Sequence, residues 1–365
     1  MAKTDFSIFT PEFGKLNIED FVSLDLNTIP KHLQSSVLFL KFLRGNESDF
    51  RFKTSGSTGA PKELIFSRTN IFHSAKATLD FLNLKSSKFK SVLIALPTEK
   101  IAGAMLIARA YLLNFDLVLI KPSNIPLENE WLSMFEGFSL LSMVPHQFSL
   151  AFQSSIALSI LQRCENILLG GSPVLLETVN KSKQLNANVF ETFGMTETLS
   201  HIALKRLSPV AIDFFEALPG VEINSDSESR LLLKSAVTEN QWILTDDRVK
   251  ILNQNQFIWL GRSSNVINSG GVKIQAEEIE RFIRSEIVEF QDVVFLILPM
   301  ADELYGQVPG LLIEGVDNDL LVQKIKNLNF PKFQKPQKVF FVPEIPKTNF
   351  KIDRKSAELL IKKMI

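Results

Sequence analysis

Between Ser91 and Phe193 the chain alternates short apolar runs with runs of helical spacing, and that alternation limits what it can fold into. Ser91–Leu96, Asp116–Ile120, Phe138–Val144, Asn166–Leu169 and Asn188–Phe193 read as buried strands. Ile101–Leu113, Gln147–Gln162 and Pro173–Leu185 carry apolar residues at helical spacing. Such alternation predicts an α/β fold with a largely parallel sheet covered on both faces. Ahead of it, a helix is expected around Ile29–Phe42. The texture changes near residue 210. Arg230–Lys234, Trp242–Thr245, Arg248–Leu252 and Phe257–Leu260 are short strands between polar turns, which predicts a small β subdomain over about 210–260. After Gly261–Ser264 come a helix (Ala276–Val288), strands (Val293–Leu298, Leu311–Glu314, Val339–Val342), a helix (Asn318–Asn327) and a last helix from Asp353. Two domains are therefore expected, a large one over 1–262 and a small α+β one over 263–365.

Composition excludes several classes of function. Lys+Arg and Asp+Glu balance at 40 each, so no global charge draws the chain to nucleic acid or an anionic membrane. Any anion site must be local. A single cysteine, Cys164, rules out an internal disulfide framework and a cysteine-cluster metal site. The N-terminal MAKTDFSIFTPEF has no apolar core, and no run reaches the ~18 apolar residues needed to span a bilayer. A cytoplasmic protein without membrane insertion is expected, either a monomer or a homo-oligomer.

Five stretches carry the chemistry. Thr54-Ser55-Gly56-Ser57-Thr58-Gly59-Ala60-Pro61-Lys62 offers unshielded backbone N–H groups, hydroxyl donors and one lysine, a composition that can wrap polyphosphate oxygens. It is not a Walker A loop, since Pro61 precedes the lysine and no Ser or Thr follows it. A flexible surface loop has the same composition. Phe193-Gly194-Met195-Thr196-Glu197-Thr198 follows an expected strand, where α/β proteins bind ligands. There an aromatic can stack on a base and a carboxylate can hold Mg²⁺, although a Thr-Glu pair also simply caps a helix. Gly170-Gly171-Ser172 ends another strand and reads equally as a tight turn before a helix. The acids of Thr245-Asp246-Asp247 suit a cis-diol or a solvated turn. Finally, Gly261-Arg262-Ser263-Ser264 leads to Gly270-Gly271, and a basic loop at Pro346–Arg354 precedes the last helix.

Together and in this order, the five stretches resemble the adenylate-forming superfamily of acyl-CoA synthetases, luciferases and peptide-synthetase adenylation domains. The resemblance runs from residue 50 to residue 354 and implies an adenylation core over 1–262 and a mobile C-terminal domain over 263–365. It implies an acid substrate, ATP with Mg²⁺, and coenzyme A as co-substrate. Thr54, Ser55, Gly56, Ser57, Thr58, Gly59 and Lys62 would bind phosphate, with Gly170, Gly171 and Ser172 also lining the nucleotide. Phe193 and Gly194 would meet adenine, while Thr196 and Glu197 would meet phosphate and Mg²⁺, Glu197 being the metal ligand. Asp247 and Arg262 match the ribose residues, and Lys351 the lysine that bridges the carboxylate and the α-phosphate. Ser264 stands at the hinge, where the family usually has Asp or Lys. Asp246 replaces a glycine, Phe350 stands where a glycine is usual, and the loop carrying Lys351 is one residue shorter. Roughly a hundred residues that larger members carry before the phosphate loop have no counterpart.

Within the superfamily, Leu96–Gly103, Leu168–Pro173 and Gly194–His201 are most similar to the o-succinylbenzoate–CoA ligases of menaquinone biosynthesis. Their acid has two carboxylates. One is activated, and Lys100, Arg109, Ser200 and His201 are the candidates to hold the other. Each also has a structural reading, as a surface cation, a packing arginine or a hydrogen-bonded core residue. Another aryl- or acyl-CoA ligase, an aryl-AMP ligase and a non-catalytic nucleotide-binding protein are the competing functions.

Overall fold

Strand residues 92–95 already show how the sheet is built: Val92 and Ile94 face one core, Leu93 and Ala95 the other. Leu117 and Leu119 repeat the pattern against Val118 and Ile120, the period-2 alternation of a strand buried on both faces. The computed structural model describes residues 6–53, 63–291, 293–348 and 351–364. In it the strands Asp116–Leu119, Ser91–Ile94, Phe138–Met143, Cys164–Leu169 and Asn188–Gly194 lie side by side and parallel. Ser7–Thr10 extends one edge in parallel with Asp116–Leu119, followed by antiparallel Gly14–Asn17. At the other side His201–Ser208 pairs antiparallel with Asn188–Gly194, and Phe215–Ala217 follows. The expected α/β class is the one observed.

Helices cover this sheet where the apolar spacing predicts them. Ile101–Leu113 is buried along most of its length from Gly103 to Tyr111. It sits so close to the preceding loop that a Cβ on Gly103 would lie 2.4 Å from the Pro97 carbonyl oxygen. Gln147–Gln162 was expected as one helix and is two, Pro145–Ala151 and Ser155–Leu161. The break has a local cause, since Ser154 Oγ accepts the Ala157 N–H and starts the second helix. Trp242–Thr245 and Arg248–Leu252, expected as two strands, fall largely within one strand, Ile243–Asn253.

Four of the chain's 30 phenylalanines pack around one strand pair. Strands Asp49–Lys53 and Glu63–Ser67 pair antiparallel, with Lys53 opposite Glu63. Phe50 and Phe52 of the first strand meet Phe39 of helix Lys31–Arg44 at ring-centroid distances of 4.9 and 5.9 Å. Phe66 of the second strand reaches Phe52 at 6.3 Å. Arg68 then donates to the carbonyls of Phe42 and Gly45, so the strand pair is held on that helix from both ends.

The described chain divides into two compact units. One comprises Met1–Ile223, Leu233–Ile243 and Gln254–Gln256, and the other Asn224–Leu232, Leu244–Asn253 and Phe257–Ile365. The second contains a five-stranded sheet in which Val266–Ser269 lies between Val272–Gln275 and Gly306–Glu314. Phe295–Asp302 is antiparallel and Lys338–Val342 parallel to Gly306–Glu314. Helix Ala276–Glu286 buries Ile279 and Ile283 in this unit's core. Arg354 Nη2 donates to both carboxylate oxygens of the helix's partly buried Glu280, each at 2.7 Å. The sequence places a domain division at 262/263, whereas the second compact unit also takes in Asn224–Leu232, Leu244–Asn253 and residues 257–262.

Candidate active site

Parallel strands put their carboxyl ends on one edge of the sheet, the place where open α/β sheets hold ligands. Three of the sequence motifs fall there: Pro97–Lys100 after Ser91–Ile94, Gly170–Ser172 after Cys164–Leu169, and Met195–Thr198 after Asn188–Gly194. A Cβ on Gly170 would lie 2.2 Å from Thr192 Oγ1, so only glycine fits against the next strand. Thr54–Lys62, with the phosphate residues Thr54, Ser55, Gly56, Ser57, Thr58, Gly59 and Lys62, lies outside the described residues, between the paired strands held by the phenylalanines.

Residues 194–201 form a tightly tied turn. Thr198 Oγ1 accepts the Met195 N–H at 3.1 Å and lies 2.9 Å from Met195 O and 2.8 Å from Ser200 O. Leu199 takes a positive φ of 63°, uncommon for a branched residue and frequent at functional turns. Gly194 is required because a Cβ there would lie 2.4 Å from Ser200 O and 2.5 Å from His201 Cα. The Phe193 ring meets Phe215 at 5.3 Å. Thr196 and Glu197 are exposed, and Thr196 Oγ1 donates to Glu197 Oε2 at 3.1 Å. No group of three or more metal-ligating side chains occurs among the described residues. An exposed carboxylate of this kind suits Mg²⁺, which binds through one or two carboxylates with phosphate and water oxygens.

The same turn draws together three of the four acid-binding candidates. Arg109, on helix Ile101–Leu113, is only 2% exposed, and its Nη2 donates to Ser200 Oγ at 3.0 Å. Ser200 Oγ is 3.3 Å from His201 Nδ1, and His201 Nε2 is 2.9 Å from Thr78 Oγ1. Among the described residues Arg109 has no carboxylate partner, and its Nε has no hydrogen-bond partner. Burial pulls its guanidinium down to about 9, which still leaves it charged at neutral pH. Burial, and then the Arg109 charge, push His201 well below its ordinary value, so the imidazole is neutral. Lys100 does not join the cluster. It is exposed at the start of the helix, roughly 13 Å along the axis from Arg109 at 1.5 Å per residue. Thr78 is a partner that spacing alone does not reveal, because it comes from the separate helix Arg68–Phe81.

The second unit holds another charged cluster. Asp247 Oδ1 accepts the Trp259 indole N–H at 2.9 Å and lies 3.8 Å from Arg262 Nε. Burial raises the Asp247 carboxyl from its usual range. Asp246 takes hydrogen bonds from Arg262 Nε at 3.3 Å and from the hydroxyls of Ser263 and Ser264. The Gly261–Arg262 corner is shaped by Gln275 and Glu277, since a Cβ on Gly261 would lie 2.4 Å from each side chain. Trp259, Gln275 and Glu277 are thus further residues of the cluster, and only cross-strand placement brings them in. The Lys351 backbone forms the short strand Lys351–Ile352, paired with Lys347–Thr348. Its side chain lies outside the description, as do Asn349 and Phe350.

The chain is similar to several known proteins. The AMP-binding enzyme family model matches residues 52–231. The 2-succinylbenzoate–CoA ligase of Escherichia coli K12 is 27% identical over 320 residues, which are 83% of this chain and 67% of that protein. The Listeria monocytogenes EGD-e protein of the same name is 28% identical over 81% of this chain and 66% of its own length. The matches therefore span about two thirds of these relatives' length. Among solved structures, an acyl-CoA synthetase (AMP-forming)/AMP-acid ligase II-like protein from Dyadobacter fermentans is 29% identical, with a TM-score of 0.61. That alignment covers 94% of this chain and 97% of the other. The o-succinylbenzoate coenzyme A synthetase of Bacillus subtilis, solved with ATP and magnesium ion, has the same fold, with a TM-score of 0.70, 23% identity and coverage of 86% and 70%. No described helix is long and apolar enough to cross a membrane. In sheet topology and sequence likeness, the chain resembles the AMP-binding enzymes, whose family model matches residues 52–231.

Proposed function

We propose that the chain is an ATP-dependent acid–CoA ligase that converts 2-succinylbenzoate to its CoA thioester at the succinyl carboxylate, through an acyl-AMP intermediate. The observation that carries the substrate is Arg109. A guanidinium at 2% exposure with no carboxylate partner among the described residues is costly to keep, and a substrate carboxylate relieves that cost. Two similar ligases from bacteria act on a dicarboxylate by name, which fits a second, non-reacting carboxylate at Arg109, Ser200 and His201. Lys100 remains a proposed contact from likeness alone.

Activation forms a bond between a carboxylate oxygen and the α-phosphorus and breaks the bond to pyrophosphate, which departs. Such transfers depend on positioning and on neutralising charge. In this reading Thr54–Lys62 and Thr196 hold the phosphates, and Glu197 holds the metal. When bound, Mg²⁺ supplies charge neutralisation at the phosphate oxygens. Phe193, Gly194 and Gly170–Ser172 frame the nucleotide, while Asp247 offers its free carboxylate oxygen to the ribose beside Arg262. Lys351 bridges the reacting carboxylate and the α-phosphate. A turn about Ser264 moves 263–365 for the second step, in which the CoA thiol attacks the acyl carbonyl and AMP leaves. A cytoplasmic setting matches these soluble substrates.

The test is pyrophosphate release over a panel of acids, with and without CoA, followed by mass detection of the thioester. 2-Succinylbenzoate should give the highest kcat/KM and a CoA thioester. A preference for monocarboxylates would replace the substrate, release without thioester formation would point to an aryl-AMP ligase, and ATP binding without release would remove the enzyme.

A further inference from the structure

The Thr78 hydroxyl has two acceptors within reach, His201 Nε2 at 2.9 Å and the Ser74 carbonyl at 3.4 Å. The shorter link is the stronger one, and the carbonyl distance is beyond the usual range for a hydroxyl donor. A neutral imidazole carries one proton. If Nε2 accepts from Thr78, that proton is on Nδ1, facing Ser200 Oγ at 3.3 Å. Arg109 can only donate, and its Nη2 reaches the same oxygen at 3.0 Å. Ser200 Oγ then receives two donors on its two lone pairs and keeps its own proton to give away.

We propose that Thr78 and His201 are positioning residues: the Thr78 hydroxyl fixes the Nδ1–H form of His201, and that form turns the Ser200 O–H outward as a donor to the substrate's non-reacting carboxylate. This rests on the substrate reading given above. With Ser200 set in this way, the cluster offers a carboxylate two donors with no acceptor of their own, the Ser200 O–H and the Arg109 Nε–H. In the opposite form of His201, the Ser200 proton would be spent on the ring and only the guanidinium would face the acid. The effect is on specificity: a carboxylate accepts both donors, whereas an uncharged group of similar size leaves a buried cation unpaired.

The experiment compares full-length Thr78→Val, which keeps the shape and removes the hydroxyl, with Thr78→Ser, which keeps the hydroxyl. Each is assayed with 2-succinylbenzoate and with 4-oxo-4-phenylbutanoate, the same acid without its ring carboxylate. Thr78→Val should raise the KM for the diacid roughly three- to ten-fold, the worth of one net hydrogen bond, with kcat and the ATP KM unchanged. Its KM for the monoacid should stay within about two-fold, and Thr78→Ser should behave as the parent on both. The ratio of the two acid KM values within one variant cancels any loss of folded enzyme. An unchanged ratio in Thr78→Val, or an equal loss in Thr78→Ser, overturns the assignment. An Arg109→Met arm separates the two levels of inference. If Arg109→Met weakens diacid binding and Thr78→Val does not, only the Thr78 role fails. If neither does, the substrate reading fails with it.

Discussion

Two charged clusters, one in each unit, solve the same electrostatic problem in opposite ways. In the second unit Arg262 stands between Asp246 and Asp247, half exposed, with indole and hydroxyl donors completing the carboxylates. The cation there is paired within the protein, and a ribose would need only hydrogen bonds. In the first unit Arg109 is buried among Ser200, His201 and Thr78, none of which carries a negative charge. The protein supplies dipoles and leaves the counter-charge out. Neutral ligand parts suit a cluster whose cation is already paired, and an anion suits one whose cation is not. The paired cation can contribute to stability in the free protein, whereas the unpaired one detracts from it until an anion binds.

That contrast breaks most visibly at Arg109. Arg109→Met should raise the KM for 2-succinylbenzoate roughly 30- to 1,000-fold, equivalent to about 2–4 kcal/mol for a buried charge pair, while the ATP KM stays within about two-fold. The same variant should melt no lower than the parent, because it removes an unpaired buried cation. A diacid KM unaffected by the change would erase the distinction between the clusters. Asp247→Ala should act on the other substrate, raising the ATP KM roughly ten-fold or more and sparing the acid, as expected for hydrogen bonds to a charged group. Steady-state kinetics varied in each substrate separate the two. The smallest expected effect is on pH dependence. A histidine held well below 6.5 in the folded state binds fewer protons there than in the unfolded chain. Its contribution to stability is therefore complete above about pH 6.5 and is lost as pH falls toward the lower folded value. Denaturation of His201→Gln from pH 7.5 to 5 should show a flatter decline than the parent. His32, lowered for the same reason, contributes with the same sign and is common to both proteins. Parallel curves would mean that His201 is not held neutral by its surroundings.

The sheet was legible because burial on both faces writes continuous apolar runs into the sequence, and their spacing separates strands from helices. Motif residues at strand ends were legible for the same reason: Gly170 and Gly194 stand where neighbouring backbone or side chains leave no room for a Cβ. Arg109 and Ser200 could be named as candidates, yet 91 residues separate them and nothing local links them. Thr78 was out of reach altogether, since a threonine in the middle of an amphipathic helix has no distinguishing pattern. Trp259 joined Asp247 only through the pairing of two strands. The break at Phe152–Ser154 was hidden by apolar spacing that continues across it, and only the capping hydroxyl of Ser154 marks it. Phe39, Phe50, Phe52 and Phe66 pack around the strands that flank Thr54–Lys62, a placement that no composition count reveals.

A crystal structure of the chain with 2-succinylbenzoate and a non-hydrolysable ATP analogue tests the central claim most directly. The account predicts one carboxylate of the acid within hydrogen-bonding distance of Arg109 and of Ser200 Oγ, with the other directed at the α-phosphate. A bound acid whose second carboxylate lies in solvent or on another cation, with Arg109 still unpaired, would contradict it.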